Sequence, residues 1–430
     1  MIAAHNFVAL IAARALHRGL ACLVCAVLVL CGCAYMEEQR GSLDQSAADR
    51  IESGLQKLRG LNFTAPVPLI LDTPDQAQQA MAAEIARDRT DEQIRIAGLT
   101  GAMIGLFPPG IDLKAETLKL LRSEIVAFYD PHKKHMVVVF GHSPNQFTDM
   151  ILAHELTHAL QDQHFQVDSM LNKVKNNDDQ LLALKSVVEG EATLAGFGYV
   201  AGSLDNAGIA RLVSNLDGLP HIFAAKSPGI PAGVGMPLMF QYSAGVGFVG
   251  EAYRRGGWGA VNAVYRNPPL STQQIIHPAL YFQHPTPPVH IELAGYQGVL
   301  KDCKKVDDDT YGEVLLRVIM EGSAPPPAPS PDDVLRQWAG DRMIVLQKDH
   351  ALTLLWMVVF HDSGAARSFA TSYTKILDHL RGEPNPHQLQ VHANAVLIAI
   401  GPGAQQFAQL APAIWQASVI GTAAAPRAMT

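Results

Sequence analysis

The chain has 430 residues, 48% of them hydrophobic and 17% charged, with a net charge of −7. That supplies apolar surface for sizeable cores in about two or three domains. The acidic balance, with no Lys/Arg-rich run, argues against nucleic acid as a partner.

Taken in chain order, Arg14 and Arg18 precede an apolar run over residues 20–30 that ends in Leu30-Cys31-Gly32-Cys33. A charged start, a short apolar core and a small-residue end are the parts of an export signal, and the core is too short for a comfortable membrane span. Four of the five cysteines fall in or at the end of this segment, so Cys303 has no partner for a disulfide framework. Residues 36–48 read as a polar tether, 51–61 as a helix, 67–71 as a strand, and 75–97 and 111–123 as helices. Residues 125–129 and 136–140 are β-rich runs around Asp130-Pro131-His132-Lys133, a hairpin signal.

Ser143, Pro144 and Gln146 then read as an N-cap, a first helical position and a capping-box partner. Phe147, Ile151, His154 and His158 follow at i, i+4, i+7 and i+11. Both histidines therefore continue the inward face, where a pair of imidazoles needs a partner. They belong to His154-Glu155-Leu156-Thr157-His158. Two histidines four residues apart on one helical face can grip a single zinc ion. Glu155, beside the first ligand, is placed to take a proton from zinc-bound water.

A catalytic zinc needs a third protein ligand and a position left for water. Val188-Glu189-Gly190-Glu191-Ala192 offers two carboxylates in a helix expected over residues 179–199. Thirty residues separate His158 from Glu189 (189 − 158 − 1), room for a connection and an antiparallel return. Apolar spacing slightly favours Glu191 as the buried one, so the residues alone leave both open. Asp162, four residues after His158, is placed either to orient a ligand or to end the helix.

Residues 200–300 read as mostly helical, with a break at Gly256-Gly257-Trp258. Residues 321–330 are Pro/Ala/Ser-rich, a semi-rigid linker or long loop. Beyond it the order is β-β-α-β-α, which predicts a small C-terminal α/β sandwich over 333–420 with one sheet face covered.

Four stretches, at residues 125–131, 153–165, 188–192 and 271–278, together resemble a group of bacterial zinc metallopeptidases of gluzincin type. The likeness spans about residues 50–300. It implies an α+β fold, with a mainly helical zincin-like core and a short β-hairpin or sheet over 50–320. It also implies Zn2+ as cofactor and a peptide or protein as substrate. The ligands would be His154, His158 and Glu189, the last being the Glu before the Gly of Glu-Gly-x-Ala, with Glu191 as a histidine's partner or the alternate ligand. Glu155 would be the general base, and His277 or Tyr281, or less readily Tyr129, the donor to the oxyanion. The strand at 136–140 would be an edge strand that binds extended peptide. Separately, Leu30-Cys31-Gly32-Cys33 resembles the lipobox of bacterial lipoproteins. It implies a signal peptide over 1–33 and a lipid anchor at Cys33 on the periplasmic face of the envelope, in the outer membrane. The same residues also fit a non-catalytic zinc-binding lipoprotein that serves as a scaffold, or a zinc amidase acting on cell-wall peptides.

Overall fold

A computed structural model describes residues 45–124, 127–139, 146–227, 229–322, 330–380 and 385–421. The expected signal and Cys33, the cap residues Ser143 to Asn145 and most of the Pro/Ala/Ser-rich stretch lie outside the described residues.

The first half is helical around a small sheet. Helix α1 (Gln45–Arg59) leads to strand β1 (Leu69–Asp72), then to α2 (Pro74–Asp88), α3 (Asp91–Met103) and α4 (Leu113–Glu124). One helix was expected over 75–97. Thr90 divides it, because Thr90 and Gln93 form a reciprocal capping box that starts α3 afresh. Strands β2 (Ala127–Asp130) and β3 (His135–Val139) form the expected hairpin, and β1 pairs parallel to β3, giving the order β1-β3-β2. β3 is therefore the central strand, not the edge expected of residues 136–140. The edge that packs towards the next helix is β2.

That helix is α5 (Gln146–Phe165); α6 (Val167–Lys173) and the long α7 (Asp178–Ala201) follow. α7 runs antiparallel to α5: Gly196 lies beside Met150 and His154, whereas Val188 meets Gln161. A Cβ on Gly196 would sit 2.9 Å from the Met150 carbonyl oxygen, so glycine is what lets the two backbones approach at His154. Ile51 and Leu55 of α1 join the apolar cluster formed by Leu152, Leu156 and Leu160 of α5 with β2 and β3. Next come α8 (Asn206–Asp217), α9 (Leu219–Lys226) and α10 (Ala232–Arg266), the last broken at Gly256-Gly257 as the Gly-Gly-Trp pattern predicts. Short helices α11 (Thr272–Ile276) and α12 (Ala279–Phe282) precede β4 (His290–Glu292).

The C-terminal part begins earlier in the chain than residue 333. β5 (Lys304–Asp309), a charged run with no apolar alternation, is already an edge of its sheet. After α13 (Gly312–Glu321) and α14 (Pro331–Leu335), strands β6 (Trp338–Lys348) and β7 (Ala351–Phe360), helix α15 (Ser363–His379), strands β8 (His387–His392) and β9 (Ala395–Ile400), helix α16 (Phe407–Ala417) and strand β10 (Val419–Gly421) complete it. The expected strand over 389–400 is thus a hairpin of two. The five strands are antiparallel in the order β5-β6-β7-β9-β8, while β10 pairs with β4. Both faces of this sheet are covered, not one. Trp356, Val358 and Ile398 join the main core with Phe369 and Tyr373 of α15, and Leu355, Met357 and Leu397 pack with Leu410 and Ile414 of α16. The α+β class expected from the pattern is the observed one.

Buried carboxylates join this sheet to α7. Asp341 of β6 accepts from Tyr311 N (2.9 Å), Gly312 N (2.8 Å), Trp338 Nε1 (3.2 Å) and Trp356 Nε1 (2.9 Å). Asp309 of β5 accepts from Asp178 N at 2.8 Å, and Asp179 accepts from the Thr272 backbone N–H at 2.9 Å and its hydroxyl at 2.5 Å. Backbone and indole N–H groups, not cations, supply most of these partners, which is how carboxylates persist away from water.

Candidate metal centre

His154 and His158, one turn apart on α5, meet Glu189 from α7. The three donor atoms form a triangle: His154 Nε2 to His158 Nε2 is 3.1 Å, His154 Nε2 to Glu189 Oε2 is 3.2 Å, and His158 Nε2 to Glu189 Oε2 is 3.5 Å. A tetrahedral zinc with bonds of roughly 2.0–2.1 Å sets its ligand atoms about 3.3 Å apart. The triangle therefore has the size of one face of such a coordination sphere. All three residues are buried, and among the described residues the group has these three members. Two imidazole nitrogens and a carboxylate oxygen this close repel unless a proton or a cation lies between them. The set of two histidines and a carboxylate suits a metal ion.

Apolar spacing could not rank Glu189 against Glu191, because α7 is enclosed on nearly every side and both are buried alike. Their partners separate them. Glu191 ion-pairs with Arg59 of α1 (Arg59 Nε to Oε1, 2.8 Å), and its Oε2 accepts from the Tyr265 hydroxyl and from Gln161 Nε2 (3.1 Å). It stands behind the histidine rather than in the ligand triangle. Arg59 also donates to Asn262 Oδ1 at 2.9 Å and lies 4.0 Å over the Trp258 ring, just past the break in α10.

The Gly between the two glutamates serves packing. A Cβ on Gly190 would stand 2.3 Å from the carbonyl carbon and oxygen of Gly245 on α10, so only glycine lets α7 lie against that helix.

Glu155 is buried beside the triangle, and its Oε2 accepts from the Tyr129 N–H of β2 at 3.0 Å. Burial pushes its carboxyl up to about 8; the Glu189 charge adds to this, while His158 and the Tyr129 N–H oppose it. Burial also holds His154 below the usual imidazole range, despite its contact with Glu189. At His158 burial acts the same way but is outweighed by Glu189 and Glu155, so the ring is pushed up to about 9. The pocket thus retains protons amid its carboxylates, the positive charge a divalent cation would replace.

Among the described residues, Asp162 contacts the β2–β3 hairpin rather than a member of the triangle. Its Oδ2 accepts from Tyr129 Oη at 2.8 Å and Lys134 Nζ at 2.6 Å. The His158 partner is Gln161, three residues on, whose Oε1 lies 2.8 Å from Nδ1. Gln161 was not foreseen, although its i+3 spacing puts it on the same face. The other expected catalytic residues are engaged elsewhere. His277 Nε2 lies 3.3 Å from Glu313 Oε1, and the Tyr281 hydroxyl donates to the Asn267 carbonyl at 2.5 Å. A cavity opens beside His158, lined by Tyr129, Pro131, Val167, Leu171 and Val188 with Asp162 and Asp168.

Residues 299–409 match a family model described as a domain of unknown function, DUF8575, which covers the C-terminal sheet and not the ligand triangle. Neither the curated proteins nor the solved structures provide a match to the chain.

Proposed function

We propose that this chain is a zinc-dependent peptidase of the bacterial cell envelope, lipid-anchored through Cys33. What carries the reading is the donor triangle of His154, His158 and Glu189 with the Glu155 carboxylate beside it. Zinc held by His154, His158 and Glu189 would supply Lewis acidity and make an attacking water more acidic. The chain's own residues do the rest. One oxygen of Glu155 is held by the Tyr129 N–H, which leaves the other to take a proton from the attacking water and pass it to the leaving amine. Val167, Leu171 and Val188 line the cavity beside His158 and would receive a mid-sized apolar side chain next to the scissile bond.

The test is metal analysis of the purified chain with a peptide-library cleavage assay. One zinc per chain is expected, with cleavage abolished by a chelator. Glu155→Gln should keep the metal and lose at least about 10²–10⁴-fold in turnover. A scaffold would bind zinc without cleaving any peptide, and unaltered turnover in Glu155→Gln would remove the general base from this account.

A further inference from the structure

We propose that Gln161 is a positioning residue that sets the tautomer of His158, and that the Arg59–Glu191 pair behind it makes α1 part of the metal centre. The inference rests on the metal reading above and adds to it residues outside the ligand set.

The argument turns on which groups can only accept. The Val188 carbonyl cannot donate, and Gln161 Nε2 lies 2.8 Å from it, so the amide nitrogen must face that way. The amide oxygen is then the atom 2.8 Å from His158 Nδ1, so Nδ1 carries the hydrogen. In the neutral ring, the form that can bind a metal, Nε2 is then the nitrogen without a hydrogen, on the side of His154 and Glu189. Reversing the amide would set its oxygen against the Val188 carbonyl, two acceptors with no hydrogen between them.

The second N–H of Gln161 faces Glu191 Oε2 and the Tyr265 hydroxyl, at 3.1 and 3.0 Å, while Tyr265 donates to the same carboxylate. Glu191 can serve as that acceptor while buried because the fully buried Arg59 guanidinium pairs with it. A chain of contacts thus runs from α1 through α7 and α10 to the metal face of α5. The HExxH spacing alone could not have contained it.

The test uses the full chain, stripped of metal and titrated with zinc against a chromogenic chelator, with the visible spectrum of the cobalt(II) form as a second readout. Gln161→Leu should weaken zinc binding about 10–100-fold and alter the cobalt spectrum. Arg59→Met combined with Glu191→Gln removes both charges together, so neither is left buried alone, and should weaken binding in the same direction by less. Tyr373→Phe, which removes a buried hydroxyl that donates to Ile104, should change neither readout and so controls for lost stability. If one variant fails to fold, the other decides. Folded variants with parental zinc affinity and parental cobalt spectra would overturn the proposal and leave the metal reading standing. A parent chain that takes up neither zinc nor cobalt would overturn both.

Discussion

At the scale of single residues, His154, Glu155 and His158 were legible because the turn of one helix fixes their spacing whatever the rest of the chain does. Local pattern could not separate Glu189 from Glu191, since a helix enclosed on nearly every side offers little outward face against which to read periodicity. Arg59 was out of reach: it meets Glu191 from 132 residues away, and no local pattern encodes that pairing. His277 bears on how an oxyanion donor would be supplied. Its ring faces the fully buried Glu313, which Arg317 also contacts at 2.9 Å. His277→Ala should therefore leave kcat close to the parent value and cost about 1–2 kcal/mol in a urea unfolding curve. A collapse of kcat with unchanged stability would return His277 to the catalytic set.

At the scale of elements, most helices were readable from their apolar spacing to within a few residues, the exception being the Thr90 capping box that splits α2 from α3, and the hairpin followed from its turn residues. Two features were not. β5 is a run of Lys and Asp that becomes a strand only because β6 is there to pair with it. β1 comes from beyond three intervening helices to lie parallel to β3, which makes central a strand that local reading placed at an edge. The α7–α10 contact gives the sharpest expectation here. Gly190→Ala has to move α10 backbone, since its Cβ would fall 2.3 Å from Gly245. Guanidinium denaturation should show a loss of about 2–3 kcal/mol or more, with weakened zinc uptake because Glu189 is the adjacent residue. Parental stability would mean that the two helices separate freely.

At the scale of the molecule, the carboxylates between α7 and the C-terminal sheet dominate. Asp341 satisfies four N–H donors at once, and Asp341→Ala would leave them buried without an acceptor. Each such loss costs about 1–3 kcal/mol, so the variant should unfold at a far lower denaturant concentration or fail to fold. Asp179 supplies the pH dependence. Burial pushes its carboxyl up from 3.8 to about 7, despite the Thr272 bonds that act the other way. The folded state then holds a proton that the unfolded state releases, so stability falls as pH rises from about 4 through 7 and levels off above. Relative to Asp179→Asn, the parent should lose on the order of 4 kcal/mol across that window in unfolding curves taken at successive pH values. A difference independent of pH would show that Asp179 is ionised throughout.

One apolar cluster includes residues of β3, α7, α10, β7 and α15 alike. Its consequence is cooperativity: a ligand that tightens α5 against α7 stabilises strands that never touch it. Amide hydrogens of β6 and β7 that exchange only through global opening should slow on zinc addition by the same factor as those of α7. A single calorimetric peak, raised as a whole by the metal, should accompany them.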